Sequence, residues 1–447
     1  MSKISHVIKR SHALVPFKRE RIVNAIYRSA VAVGGRDKKR AEFLADEVIK
    51  LLEAETPEGI NPNIEDIQDA VEKILIEHGH AKVAKAFILY RNEQLQKQKV
   101  EAREAAESTG NIPWRKIYYV LDWAIEHSLH TIESLNQRIR NGEFPQIVHE
   151  SESAYEDNVT AGADWIEERH GEIRVVIVSG PSSSGKTTTT TKLEQRLSKR
   201  GLRFRALNID NYFFDLELHP KDEFGDYDFE TPQALDLELI NQHLHDLLDG
   251  KEVRIPFYDF KSSTRKLDQT PMRLDEDEIL LIDSLHGLYP SMTESVPDDQ
   301  KARIFLEPLM QMKQPNGEYI HWADLRLIRR MLRDSVHRAY DPQQTLEHWH
   351  YVRSSEMRHI IPHIGTTDII INSAMPYEIA IYRPKLLDSF QRWEELYRDD
   401  PLREDAYIRA KRVGQMLEAV EPMEDDSAIP GDSVLREFIG GSTLEYK

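Results

Sequence analysis

The chain has 447 residues, a net charge of −18, 40% apolar, 30% charged and 8% aromatic residues, and no cysteine. Lack of cysteine excludes disulfides, thiolate zinc sites and cysteine nucleophiles, so any metal must sit on oxygen or imidazole. The acidic balance argues against nonspecific nucleic-acid binding, which needs a cationic surface to displace counterions, while local cationic clusters can still hold a phosphate ligand.

At ~150 residues per domain the length predicts about three domains. No apolar run approaches the ~18 residues of a membrane span. The opening "MSKISHVIKRSHALVPF" lacks the continuous apolar segment of a secretory signal, and a cytoplasmic location is expected. Residues 1–95 read as a unit of their own: a short strand-like "HVIKRSHALVPF", then helical patterns. In the last of these Asn63 is the expected N-cap, with Ile64, Ile67, Val71 and Leu75 on one face. Residues 96–170 read as a helical linker, with two helices from Trp114 to His170 broken at "NGEFPQ" by Gly142 and Pro145.

From Arg174 the pattern changes. The apolar runs "VVIVS", "FRALNID", "EILLID", "ARIFLE" and "DIIINS" alternate with helical segments, which predicts an α/β core over residues 171–385, a parallel sheet flanked by helices. Residues 386–447 read as a polar helical extension in which Phe438 and Ile439 of "VLREFIGGS" are apolar and are expected to dock back on the core.

The first strand of that core leads into Gly180-Pro181-Ser182-Ser183-Ser184-Gly185-Lys186-Thr187, a G-x-x-x-x-G-K-[ST] loop with a strand before it and, after it, a helix carrying Leu193 and Leu197 and stopping at Gly201. The N–H groups of such a loop and the helix dipole cradle phosphates, Lys186 reaches the outer ones, and Thr187 ligates Mg²⁺. Thr188 closes the ATP-binding set, although the Thr188 to Thr191 run itself reads as ordinary helix surface and core positions.

Two acids give the loop a reaction. Asp210 ends the second strand, at the carboxyl edge of the sheet where ligands bind, and can take the proton of an attacking hydroxyl. Asp283 follows four apolar residues in "EILLIDS", the arrangement that holds Mg²⁺ or its water shell. In "ADLRLIRRMLRDSVHRAY", Leu325, Ile328, Leu332 and Val336 form an apolar stripe, and Arg326, Arg330 and Arg333 gather on an adjoining face. Cations there suit the equatorial oxygens of a transferring phosphoryl group. The histidines of "HLH", "EHWHYV" and "HIIPHI" lack metal-site spacing, and Pro362 interrupts the last.

With these residues in place, the stretch from about Arg174 to Ser373 resembles the uridine kinase/phosphoribulokinase family of P-loop kinases. The resemblance covers the loop, "IDNYFF", "YDFETPQALD", "IPFYDFKSSTRK", the Asp283 strand and the arginine segment. It implies transfer of the ATP γ-phosphate to a hydroxyl, typically a nucleoside 5′-OH, with Asp210 as base and Lys186, Arg333 and Arg338 around the phosphates. It also implies Glu230 on ribose hydroxyls, Tyr258 lining the base site and Arg330 contacting the acceptor. Ser263 stands where the family's base-reading histidine falls, Tyr340 where a further substrate-contacting arginine falls, Asp283 for a usual glutamate and Glu230 for a usual aspartate. The phosphoryl-transfer set is intact and base recognition is altered.

Residues 1–95 resemble the ATP-cone, a regulatory nucleotide-binding module, through "VIKRSHALVPFKRERIVNAI" and "IEDIQDAVEKIL...VAKAFILYR". Lys9 and Arg10 fall on its basic pair and Arg21 on a usual lysine, while His12 replaces a common glycine. The implied regulatory ligand is ATP or dATP, and both resemblances imply self-association. The reading is an ATP- and Mg²⁺-dependent small-molecule kinase, without nucleic-acid or membrane partners. The alternatives are a kinase for another hydroxylated acceptor, such as a sugar phosphate, and a non-catalytic nucleotide-dependent regulator.

Overall fold

The structure is a computed structural model and describes residues 4–8, 14–56, 61–89, 111–220, 230–260, 262–337, 341–400 and 403–445. The chain forms two compact units: 1–109 with 397–404, and 110–396 with 405–447.

In the first unit, β1 (His6–Ile8) and β2 (Leu14–Pro16) pair antiparallel. Helices α1 (Arg19–Val31), α2 (Lys38–Glu55), α3 (Ile64–Glu77) and α4 (81–89) follow. The starts of α2 and α3 have local causes. Asp37 caps α2 by accepting from the Arg40 amide, and Asn63 and Asp66 form a reciprocal capping box on α3. Ile22, Ile26, Leu44, Val48, Leu52, Val71 and Leu75 fill one core. Arg21 is exposed on α1. Lys9, Arg10 and His12 lie outside the described residues.

The second unit holds a five-stranded sheet: β3 (Val175–Ser179), β4 (Arg203–Asn208), β7 (Glu278–Ser284), β8 (Lys301–Glu307) and β9 (Ile369–Asn372), with a separate hairpin of β5 (Val253–Asp259) and β6 (Thr264–Met272) inserted between β4 and β7. All its pairings are parallel, in the order β4-β7-β3-β8-β9. Every residue of β3 is buried, as a central parallel strand covered on both faces requires. On one face α9 (Leu237–Leu248) packs Ile240, Leu244 and Leu247 against Val175, Ile177, Leu280 and Ile282. On the other, α7 (Phe144–Glu167) packs against β9, where a Cβ at Gly162 would meet Ile371 at an ordinary contact distance of 3.6 Å.

That packing corrects the linker. Three helices, not two, occupy the stretch: α5 (Trp114–Glu126), α6 (Ile132–Arg140) and α7. The additional break falls at Ser128, with φ +53°, just before Thr131 caps α6. The third helix is a layer of the α/β unit because Ile147, Tyr155, Val159, Ala163 and Ile166 form its buried stripe. Gly142 has φ +79° and Pro145 is the second residue of α7, as the turn chemistry anticipates.

After the loop comes α8 (Lys186–Lys199), ended by Gly201 at φ +92°. Then α10 (Trp322–His337), α11 (Pro342–His359), α12 (Glu378–Tyr397), α13 (Glu404–Ala419) and the single turn α14 (Arg436–Ile439) complete the unit. Among the described residues no helix is long and apolar enough to cross a membrane.

Candidate functional site: a phosphate loop between two acids and an arginine helix

Strands β4 and β7 lie to one side of β3 and β8 and β9 to the other, so the crevice at the carboxyl end of β3 is the switch point where a doubly wound sheet binds ligands. Gly180 opens the loop because nothing larger fits: a Cβ would sit 2.4 Å from the Leu306 carbonyl oxygen and 2.9 Å from Ser184 Oγ. Gly185 caps α8 at φ +92°, and Ser183 accepts φ +59° between them. Lys186 folds back with Nζ 3.3 Å from the Pro181 carbonyl oxygen. Burial lowers its pKa, opposed by the nearby charges of Asp283 and Glu437.

The hydroxyls of Ser183 and Ser184 are buried without a hydrogen-bond partner among the described residues. Orphaned donors beside the first-turn amides of a helix are what an anion would satisfy. Thr187 is exposed at the mouth. The threonine run is not uniform. Thr188 donates from its amide and its hydroxyl to Glu437 Oε2, at 3.2 and 2.8 Å. Thr189 is buried, hydrogen-bonded to Gly185 O and Tyr155 Oη at 2.8 and 2.7 Å, and Thr191 is half-buried.

Sheet register places the acids. Asp283 sits opposite Val178 of β3 and Asn208 of β4, and Asp210 follows two residues later in the turn Ile209–Tyr212, exposed at the crevice mouth. Enclosure pushes the Asp283 carboxyl up to about 6, with Lys186 pulling it down and Glu437 and Asp210 adding to the rise.

Helix α10 divides its arginines between two jobs. Arg326, expected on the phosphate-facing side, is instead buried: Nε lies 2.8 Å from Glu307, Nη2 lies 2.9 Å from Glu356, and Nη1 donates to the Ser182 carbonyl oxygen at 3.2 Å. Arg329 is likewise buried, 2.8 Å from Glu378 and 2.7 Å from the Ser373 carbonyl oxygen. These two hold the loop's supports. Arg330 faces the crevice, with Nη1 3.1 Å from Glu230 and 3.4 Å from Ser182 Oγ. Arg333 is partly buried with Nε 2.9 Å from Asp334. Arg338 and Tyr340 lie outside the described residues.

The β5–β6 hairpin forms the wall next to Asp210. The Tyr258 amide donates to Asn211 Oδ1 at 3.3 Å, and its ring is 5.6 Å from Phe213 and 5.0 Å from Phe260. Ser263, at φ +54°, bonds the Tyr258 hydroxyl and accepts from the Leu216 amide at 3.2 Å, which ties the hairpin tip to the segment after Asp210. Sequence reasoning overlooked two residues here. His286, past the end of β7, is buried, its ring is 6.1 Å from that of His359, and burial pushes its pKa down to about 3. Glu437 sits on Thr188; the apolar Phe438 beside it in a polar tail is the signal that marked its segment.

Two family models match the chain. ATP cone domain covers residues 5–96, and Phosphoribulokinase / Uridine kinase family covers residues 175–380. A uridine kinase of Mycoplasma genitalium is 33% identical over 160 residues, 36% of this chain and 66% of that protein. A uridine kinase of Deinococcus deserti is 28% identical over 204 residues, 45% and 89% of the two chains. Uridine-cytidine kinase B of Dictyostelium discoideum is 27% identical over 208 residues, 46% and 77%. Residues 175–380 belong to the phosphoribulokinase/uridine kinase family, and the chain is an ATP-dependent phosphotransferase that carries an ATP cone domain at residues 5–96.

Proposed function

We propose that the protein transfers the ATP γ-phosphate to the 5′-hydroxyl of a nucleoside. In this reading the acceptor oxygen forms its bond to the γ-phosphorus, its proton passes to the Asp210 carboxylate, and the bond to the β-phosphate oxygen breaks to release ADP. Lys186, the loop N–H groups from Ser182 to Thr188, Arg333 and Arg338 carry the phosphate charge. Positioned cations in an enclosed site stabilise charge that develops in the transition state.

The observation that carries this is one crevice end shared by the phosphate loop, Asp283 in register beside β3, Asp210 two residues past that register, and Glu230 joined to the loop through Arg330. A hydroxylated acceptor held by Glu230 and Arg330 would lie between the loop and the Tyr258 wall.

Magnesium fits the donors present. Thr187 offers a hydroxyl and Asp283 a carboxylate, both hard oxygen ligands, with water to complete the shell. Bound there, the ion would neutralise phosphate charge.

Ser263 and Tyr340, in place of the residues expected to read a pyrimidine, leave base choice open to another nucleoside or to a sugar phosphate. The deciding experiment screens ribo- and deoxyribonucleosides, with sugar phosphates, for acceptor-dependent ADP formation, alongside Asp210→Asn. A kinase loses ~10²–10⁴-fold in turnover in that variant and still binds ATP. Indifference of turnover to Asp210→Asn, or ATP binding with no acceptor found, would sink the reading in favour of a regulator. Nucleotide bound at the cone, through Lys9, Arg10 and Arg21, is proposed to regulate this activity.

A further inference from the structure

The polar extension reaches the phosphate loop through Val434 and Glu437. Beyond α13 the chain returns to the core and is fastened there at successive positions. Asp432 pairs with Lys192 of α8 at 3.0 Å, and the hydroxyls of Ser433 and Tyr377 converge on Glu152 of α7. Val434, Leu435 and Phe438 are fully buried, and the Arg329 guanidinium lies 5.1 Å from the centre of the Phe438 ring. Val434 comes so close to the loop that a Cβ on Gly185 would lie 2.4 Å from its Cγ2. Arg436 ties α14 to the carbonyl oxygens of Asp426 and Ile429 at 2.8 and 2.9 Å.

These anchors deliver one carboxylate to one place. Glu437 Oε2 accepts from the amide and the hydroxyl of Thr188. Thr188 is the third residue of α8, so its amide is one of the four first-turn N–H groups that lack a helical partner and that bind anions. The Glu437 charge is also felt at Lys186 and Asp283, the groups on either side of the phosphate position. The carboxylate uses donors that an incoming phosphate would use and carries charge of the same sign.

We propose that Glu437 is a tethered stand-in for phosphate, which holds the loop closed without nucleotide and which ATP must displace. This rests on the reading that Gly180 to Thr188 hold the ATP phosphates. Two anions do not share the two donors of Thr188, so ATP binds only the fraction of molecules from which the carboxylate has withdrawn. The apparent dissociation constant rises as that fraction falls. Withdrawal of α14 also loosens Val434 on Gly185 and Phe438 on Arg329, so nucleotide binding reorganises the C-terminal segment.

The test is calorimetric titration of the full-length protein and of Glu437→Gln with a non-hydrolysable β,γ-methylene analogue of ATP. The glutamine keeps the shape of the side chain and lacks its charge. The expected result is a dissociation constant at least about fivefold lower in the variant. An unchanged constant makes Glu437 a helix cap only, and a weaker one makes it a nucleotide ligand; either overturns the proposal. Hydrogen exchange on the wild-type protein decides the matter even where the variant does not fold. The amides of residues 433–439 should exchange faster when the analogue saturates the protein, and unchanged exchange overturns the proposal. If the wild-type protein fails to bind the analogue at all, the phosphate-loop reading falls with it, an outcome distinct from equal binding by both proteins.

Discussion

Arg330 Nη1 lies 3.1 Å from Glu230 Oε1 and 3.4 Å from Ser182 Oγ, so one guanidinium joins the phosphate loop to the acid expected to hold acceptor hydroxyls. Removing it breaks the ion pair with Glu230 and loosens the acceptor side of the crevice. Arg330→Ala should raise the acceptor KM at least about tenfold, the equivalent of roughly 1.5–3 kcal/mol for a charged hydrogen bond. Arg330→Lys should recover little of this, because a point charge does not reproduce the fork that spans two partners. Glu230→Gln should raise the acceptor KM and leave the ATP KM near wild type. Equal changes in both Michaelis constants would show that Arg330 shapes the loop instead.

Arg326 makes the opposite kind of contact. Its guanidinium is shut away between Glu307 and Glu356, where its charge is paired; its removal would leave Glu307 buried opposite Glu356, with Arg353 still paired to Glu356 alone. Arg326→Met should destabilise the protein by about 3–5 kcal/mol in urea unfolding. Burial already raises the Glu307 carboxyl above its usual range, and Arg326 opposes that rise. Without the arginine the folded-state pKa climbs further, so the extra loss should grow as pH rises and shrink as the carboxyl takes up its proton. Replacing Arg326 and Glu356 together by leucine should cost less than the single change.

The contrast between these two arginines marks how far the sequence could be read. The central strands were legible because covered parallel strands are short apolar runs, as β3 and β7 are, and β3, β4, β7, β8 and β9 all fall on the expected segments. The loop was legible because close approach and backbone geometry allow few residue types at Gly180 and Gly185. The arginines were not separable: Arg326 and Arg330 are four residues apart on one helix face, and only the positions of Glu307, Glu356 and Glu230, distant in the chain, make one a buttress and the other a crevice residue. Helix α7 was misplaced as linker because its amphipathic stripe states that it packs, not what it packs on. Glu437 lay hidden because its partner Thr188 is 249 residues away.

Asp283 gives the crevice a pH signature. Its folded-state carboxyl is raised from 3.8 to about 6, first by enclosure and further by Glu437 and Asp210, against the pull of Lys186. A raised carboxyl pKa means that ionisation costs the folded state. The cost is absent below about pH 4, where both states are protonated, grows through pH 6 and is constant above. In chelator-treated protein without nucleotide, Asp283→Asn should therefore melt at a higher temperature than wild type at pH 7.5, with the gap closing towards pH 4. A gap that persists at pH 4 would mean that packing, not ionisation, separates the two.

The ATP cone domain supplies the remaining prediction, since the nucleotide proposed to bind there and that proposed for the kinase crevice would occupy two sites on one chain. If they are coupled, each changes the other's affinity by the same factor, typically ~5–150-fold, whatever the sign. Titrating ATP or dATP into the full-length enzyme at fixed acceptor should shift the activity curve away from simple saturation. Deleting residues 1–95 should leave turnover at its basal value and abolish that shift. Arg21→Ala, a change at an exposed position on α1, should weaken the shift without touching the kinase core, which separates loss of effector binding from damage caused by deletion. Modulation that survives both changes would assign the sensor to the kinase crevice itself, where a second nucleotide could only compete with donor or acceptor and would raise a Michaelis constant without changing kcat.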